Sequence, residues 1–159
     1  MLEIVLADYS NPKHRQAVID MLDDYAQDPM GGGEALPEAT KATLIDEMAK
    51  RDYVFSLLAF NDEQPVGLAN CVEGFSTFAA KPVMNIHDIA VIKDFRGQGI
   101  AKRLLEEVST LAQFRGCCKL TLEVLQGNEP AKIAYEKFGF KPYQLDAEMG
   151  KAEFWQKYL

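Results

Sequence analysis

Residues 93 to 105 read KDFRGQGIAKRLL, and they oblige the chain to pass from a strand into a helix through two glycines. The preceding run MNIHDIAVI (84–92) has the make-up of a strand. Beyond the glycines, Ile100, Leu104, Leu105, Val108, Leu111 and Ala112 recur at helical spacing, and Arg115-Gly116 closes the stripe. A strand that enters a helix in this way presents unpaired backbone N–H groups at the positive end of the helix dipole, which is a seat for phosphate. Glycine at 97 and 99 keeps a Cβ out of the anion's approach. Three phosphate-binding patterns compete for such a loop. The P-loop requires Lys and Ser or Thr after its last glycine, and here Ile100 and Ala101 stand there. The dinucleotide fingerprint places a third glycine where this chain has Lys102, too bulky for close helix–strand packing. The third pattern, [RQ]-x-x-G-x-[GA], is met by Arg96, Gly99 and Ala101.

With 159 residues, 48% apolar and 26% charged, the chain is expected to form one domain, residues 1–159, around one hydrophobic core. Its apolar runs are too short to span a bilayer, and MLEIVLADYS lacks the basic and long apolar regions of a signal peptide. Cys71, Cys117 and Cys118 are odd in number and lack CxxC spacing, and His14 and His87 lie far apart. The expectation is no metal, no disulfide framework and a reducing cytoplasm. A formal net charge of −7 argues against nucleic acid and anionic membranes as partners. Lys93, Arg96, Lys102, Arg103, Arg115 and Lys119 nevertheless outnumber Asp94, Glu106 and Glu107 between 93 and 119. That basic island suits a small anion held at one place; a solvated helix face explains such clusters about as well. A homodimer is compatible with the sequence, which does not decide the oligomeric state.

Along the chain, LEIVLA (2–7) reads as a first strand, and residues 13–27, with Ala17, Val18, Met21, Leu22 and Tyr25 at helical spacing, as an amphipathic helix. DPMGGGEALP (28–37) is a loop, followed by a second helix with Leu44, Ile45 and Met48 on one face. YVFSLLAF (53–60) and PVGLANCVEGF (65–75) form a hairpin about NDEQ, and residues 84–92 add another strand. KLTLEVL (119–125) alternates as a strand. Asn128 caps a last helix that Gly139 ends, and FKPYQLD and AEFWQKYL supply a final antiparallel pair. The class is α/β (α+β), with about seven strands and about four helices.

IAVIKDFRGQGIAKRLL followed by TLEVLQGNEPAKIAYEKFGF resembles the GNAT superfamily of acetyl-CoA-dependent N-acetyltransferases, over roughly residues 84–140. Asp88, DFRG and the NEP triplet before Tyr135 look like its diamine and polyamine branch. The resemblance implies a mixed, mostly antiparallel sheet whose fourth and fifth strands splay to admit cofactor and amine. It implies that the pantetheine arm of acetyl-CoA pairs with Ile89, Ala90 and Val91 as an added strand. It also seats the pyrophosphate on Arg96, Gly97, Gln98, Gly99, Ile100, Ala101 and Lys102. Asn128 matches the side chain that contacts the arm, and Tyr135 the tyrosine beside the sulfur.

The implied reaction is direct attack by a primary amine. An alkyl ammonium has a pKa of about 10.4, so the site must take a proton. A backbone N–H near Val91 would stabilise the oxyanion, and Tyr135 would protonate the departing thiolate. Ala131, Ala134, Tyr135 and Phe138 also read as an ordinary core stripe, and Asn128 as a plain helix cap. For the base, His87 has a suitable ring, with an unperturbed pKa of about 6.5, and Asp88 would orient the amine. Adjacent on a strand, they point to opposite faces unless a bulge intervenes. The family often places a glutamate in this strand, and residues 84–92 contain none. Asp28, Glu34 and Asp88 are candidate contacts for a small cationic acceptor such as a polyamine, diamine or amino acid. A protein N-terminus or lysine is the alternative acceptor, and a CoA-binding module without turnover the alternative class.

Overall fold

The computed structural model describes residues 1–159, which fold as two compact units, Met1–Leu122 and Glu123–Leu159. The first unit contains five strands, β1 (Leu2–Leu6), β2 (Val54–Asn61), β3 (Gln64–Ser76), β4 (Lys81–Val91) and β5 (Leu120–Leu122). It also holds three helices, α1 (Pro12–Gln27), α2 (Glu38–Ala49) and α3 (Ile100–Phe114), and two 3-10 turns, Pro29–Gly31 and Lys93–Phe95. The strands lie in the order β1-β2-β3-β4-β5, antiparallel except for the parallel pair β4–β5.

Each face of the sheet is covered by the helix whose stripe fits it. Ala17, Val18 and Met21 of α1 and Ile45 and Met48 of α2 pack with Leu58, Phe60 and Leu68 of the sheet. Asn11 starts α1 by accepting the Lys13 amide, and Pro12 occupies the first turn, where its missing N–H costs nothing. On the other face, α3 buries Ile100, Leu104, Leu105, Val108 and Ala112 against β2, β3 and β4. Burying each leucine contributes roughly 1.5–3 kcal/mol.

Two features of β4 open its far end. Asn70 of β3 stands opposite Asp88, whereas the next residue, Cys71, stands opposite Ile86. His87 is therefore an extra, bulged residue. The pairing with β5 covers only Met84–Ile86, while β4 continues to Val91. The fourth and fifth strands thus part at the bulge, and the far edge of β4 beyond Ile86 has no neighbouring strand.

The second unit contains α4 (Glu129–Phe138), capped by Asn128 and ended by Gly139. The sheet has five strands, not seven. FKPYQLD and AEFWQKYL meet only in the bridge Gln144–Lys151 and the Ala152 N–H to Tyr143 carbonyl bond of 2.9 Å. A two-stranded ribbon alone is marginal in water, and Pro142 removes a ladder donor. The strand expected over 119–125 is also shortened to Leu120–Leu122, because β4 bends away after Ile86.

Candidate active site

Gly97 and Gly99 both take the left-handed conformation, at φ +76° and +79°, which turns the backbone out of the Lys93–Phe95 turn and into α3. A Cβ at either would meet no protein atom within 4 Å, so both face open space. The amides of residues 97 to 102 find no backbone acceptor, and the first bond of the helix is donated by Arg103 to Gly99. Six consecutive donors at a helix start form a cradle that suits a polyanion.

The open edge of β4 begins beside this cradle. The Ile92 N–H bonds the Val66 carbonyl of β3 at 3.1 Å, so alternation turns the peptide groups of Ile89 and Val91 the other way. Those of Ala90 point into the sheet. An extended ligand along this edge therefore meets Ile89 and Val91.

Arg96 is placed differently from its neighbours in the motif. Its Nε donates to the Val91 carbonyl at 2.9 Å, and its Nη2 donates to Asp28 Oδ2 at 3.0 Å. The side chain thus ties the loop after α1 to the end of β4. Lys102 is exposed and faces Glu106 at 3.6 Å.

That loop is built, not loose. Asp28 Oδ1 accepts the Met30 amide at 2.9 Å, which makes a single 3-10 turn inside the glycine-rich stretch. The Met30 amide and then the Arg96 guanidinium hold the Asp28 carboxyl below its ordinary value. Gly31 lies so close to the end of α1 that a Cβ would fall 1.9 Å from the Tyr25 carbonyl oxygen. Only glycine fits there. Glu34 donates its amide to Ala26 and leaves its carboxylate exposed. Tyr25 is half-buried between this loop and β4; burial, then Asp88, then Asp28 push its phenol upward. Tyr25, Asp28 and Asp88 therefore share one acidic corner.

The bulge brings His87 and Asp88 to the same side, both opposite Asn70. Asn85 Nδ2 donates to Thr121 Oγ1 at 3.1 Å, and its Oδ1 lies 3.3 Å from His87 Nδ1. The neutral ring then carries its proton on Nδ1 and leaves Nε2 as an acceptor on an exposed side chain. Asp88 Oδ2 accepts from Asn70 Nδ2 at 3.0 Å. The sequence reading misses Asn70, Ser56 and Tyr9, and it takes Tyr25 only as part of a helical stripe. The signal for two of them was a Ser and an Asn inside otherwise apolar strand runs.

In the second unit, Asn128 Oδ1 accepts the Ala131 amide at 3.4 Å. Tyr135 lies half-buried one turn before the end of α4, its ring edge-on to Phe140 at 5.9 Å.

The model of the acetyltransferase (GNAT) family matches residues 16–140. The chain belongs to that family. As a GNAT acetyltransferase it is 31% identical over 93 residues to N-alpha-acetyltransferase 30 of Schizosaccharomyces pombe, covering 57% of this chain and 59% of that protein. It is 23% identical over 144 residues to the thialysine N-epsilon-acetyltransferase of Caenorhabditis elegans, covering 91% and 84%. It spans about half of the bovine and porcine thialysine enzymes, 44% and 45% of their lengths. The aminoglycoside N-acetyltransferase AAC(6')-Iy, solved in complex with CoA, shares the fold with a TM-score of 0.75 at 19% identity over 99% of this chain and 95% of that one. GNAT acetyltransferases use acetyl-CoA, and the free amides and open edge of this GNAT chain are donor groups of the kind a phosphate-bearing, amide-bearing ligand needs.

Proposed function

We propose that this protein acetylates a primary amine on a small cationic acceptor, with acetyl-CoA as donor, by direct attack in a ternary complex. The observation that carries the reading is the arrangement about β4. A cradle of unpaired amides and an open strand edge lie at its end, and an acidic corner of Tyr25, Asp28 and Asp88 lies on its face. Acetyl-CoA supplies the activated acetyl thioester. The amides of residues 97–102 hold its pyrophosphate, and Ile89 and Val91 pair with its arm, with the Val91 N–H available to a developing oxyanion. Arg96 acts from behind, by fixing Asp28 and the end of β4. The family resemblance gives the arm to the side chain of Asn128, whose Nδ2 the cap leaves unused.

The acceptor arrives as an ammonium, which Asp88 and Asp28 attract and orient. His87 Nε2 takes its proton, directly or through water, so that the nitrogen lone pair is free. As the new C–N bond forms and the C–S bond breaks, the nitrogen gives its second proton to water and the thiolate takes one, the role that the family resemblance gives to Tyr135, whose phenol then regains a proton from water. A peptide N-terminus is the second reading, favoured by the 31% identity to the N-alpha-acetyltransferase.

Release of free thiol from acetyl-CoA, measured against a panel of diamines, amino acids and short peptides, tests the proposal. Stimulation by diamines or amino acids is expected, and stimulation by peptides alone would favour the second reading. Tight CoA binding without amine-stimulated release would leave a quiet binding module. Tyr135→Phe should lower kcat by about a hundredfold; a wild-type rate would return Tyr135 to packing against Phe140.

A further inference from the structure

The middle of the sheet contains a polar chain that packing does not require. Ser56 is fully buried and Asn70 is 5% exposed, among leucines, valines and alanines. Polar groups in such a place are costly unless every one is paired. Here all are paired, and in one direction. Asn70 Nδ2 donates to Asp88 Oδ2 at 3.0 Å, which turns Asn70 Oδ1 toward Ser56. Ser56 Oγ donates its only proton to that oxygen at 2.6 Å. Tyr9 Oη, 2.9 Å from Ser56 Oγ, is then the donor of the last bond. Ser56 faces Asn70, and Asn70 faces Asp88, in the strand register, so the three lie on a single cross-strand row.

Every donor in the row points toward Asp88 and the row ends on a carboxylate oxygen. A carboxylate oxygen is the natural terminus, because it accepts. Tying Oδ2 also fixes the rotation of the group and leaves Oδ1 outside the row. An amide at the third position passes no proton, so the row orients; it does not conduct.

We infer that Asn70, braced by Ser56 and Tyr9, is a positioning residue that fixes the rotation of the Asp88 carboxyl, with Oδ1 turned toward the acceptor ammonium. The inference rests on the reading of Asp88 as the acceptor's cation contact. The row leaves the core and ends on a half-buried carboxylate beside Tyr25 and Asp28.

A double-mutant cycle separates the two ideas. Steady-state kinetics with acetyl-CoA and 1,4-diaminobutane are compared for the wild type, Asp88→Asn, Asn70→Ala and the double variant. Asn70→Ser, which keeps a donor, and Ser56→Ala, which leaves the Asn70–Asp88 bond in place, guard against misfolding. Asn70→Ala should lower kcat/KM for the amine about tenfold or more, with little change in KM for acetyl-CoA. Asn70→Ser should recover much of the loss, and Asn70→Ala should cost nothing further once Asp88 is Asn. Equal losses in both backgrounds, with Asp88→Asn itself impaired, would overturn the positioning role alone. An unimpaired Asp88→Asn would overturn that role and the reading of Asp88 together. If no amine is turned over, the side-chain amide resonance of Asn70 gives the answer. It should shift on addition of 1,4-diaminobutane in the wild type and not in Asp88→Asn; no shift in the wild type would overturn the inference.

Discussion

Gly67 of β3 is where α3 comes closest to the sheet, and filling it tests how the anion cradle is supported. A Cβ there would lie 3.1 Å from each of Ala59 Cβ, Ile100 Cγ2 and Leu104 Cδ1, whereas carbon atoms rest about 3.5–4.0 Å apart. Alanine must therefore push three neighbours by a few tenths of an ångström. Against that, replacing a strand glycine recovers roughly 0.5–1 kcal/mol of conformational entropy. A shift of a few tenths of an ångström lies at the low end of overpacking, about 1 kcal/mol, so Gly67→Ala should be close to neutral. Gly67→Val adds two further methyl groups with no further gain, for a net loss of about 1–3 kcal/mol. In a chain of this size each kcal/mol lowers Tm by about 2–4 °C, which puts the valine variant about 2–12 °C below the wild type. Function should fall with it. Ile100 and Leu104 lie at the start of α3, so moving them moves the amides of residues 97–102. Misaligning one amide–phosphate bond, worth about 1.5–3 kcal/mol, weakens CoA binding tenfold or more. Circular-dichroism melts and calorimetric titration with CoA measure both. A valine variant with the wild-type Tm and CoA affinity would refute the reasoning, and a lower Tm with unchanged affinity would refute the link between packing and cradle.

Gly99→Val should weaken CoA binding by a different route. It forces a branched residue into φ +79° and places a side chain in the space the anion needs, while the protein core is untouched. Unchanged affinity would disprove this account of the loop. Burial, and then Asp88, push the Cys71 thiol up to about 12. Iodoacetamide at pH 8 should therefore modify exposed Cys118 and spare Cys71 until the chain unfolds; native-state labelling of Cys71 would contradict its burial. The Asp28 carboxyl is held below its ordinary 3.8, so what it contributes is present at neutral pH and is lost as pH falls through that depressed value. Hydrogen exchange at the Met30 amide should be slow at pH 7 and lose its protection only below about pH 4. Protection that fades near pH 6 would point to another group.

Much of the donor side was legible in the sequence because it is local. The glycine loop, the helix it opens, the Asn128 cap and the Gly139 stop all lie within short windows whose residue types have one plausible conformation. The corner proposed for the acceptor was legible only in part. Asp28 was a natural candidate, but its partner Arg96 is sixty-eight residues away and was assigned to the anion. Tyr25 was counted into a helical core stripe, because periodicity records a facing direction and not the carboxylates found there. The last two strands failed for a complementary reason. Alternation in FKPYQLD and AEFWQKYL signals a strand, but a strand also needs a partner to complete its ladder, and only one bridge forms.

The bulge at His87 joins the two halves of the proposed site. Pairing between β4 and β5 stops at Ile86, one residue before the extra one, and a bulge bends its strand and increases its twist. The gap that leaves Ile89 and Val91 open is thus a consequence of one inserted residue. Deletion of His87 would keep Asp88 opposite Asn70, since Cys71–Ile86 and Asn70–Asp88 are already consecutive pairs on β3. It would also straighten β4 and bring its edge back in line with β5. His87→Ala removes the imidazole and keeps the bulge. The alanine variant should therefore bind CoA like the wild type and lose turnover, whereas the deletion should lose CoA affinity as well, by about tenfold for each strand-edge hydrogen bond forfeited. Equal CoA affinity in the two variants, by calorimetric titration, would mean that the splay of β4 from β5 has another cause.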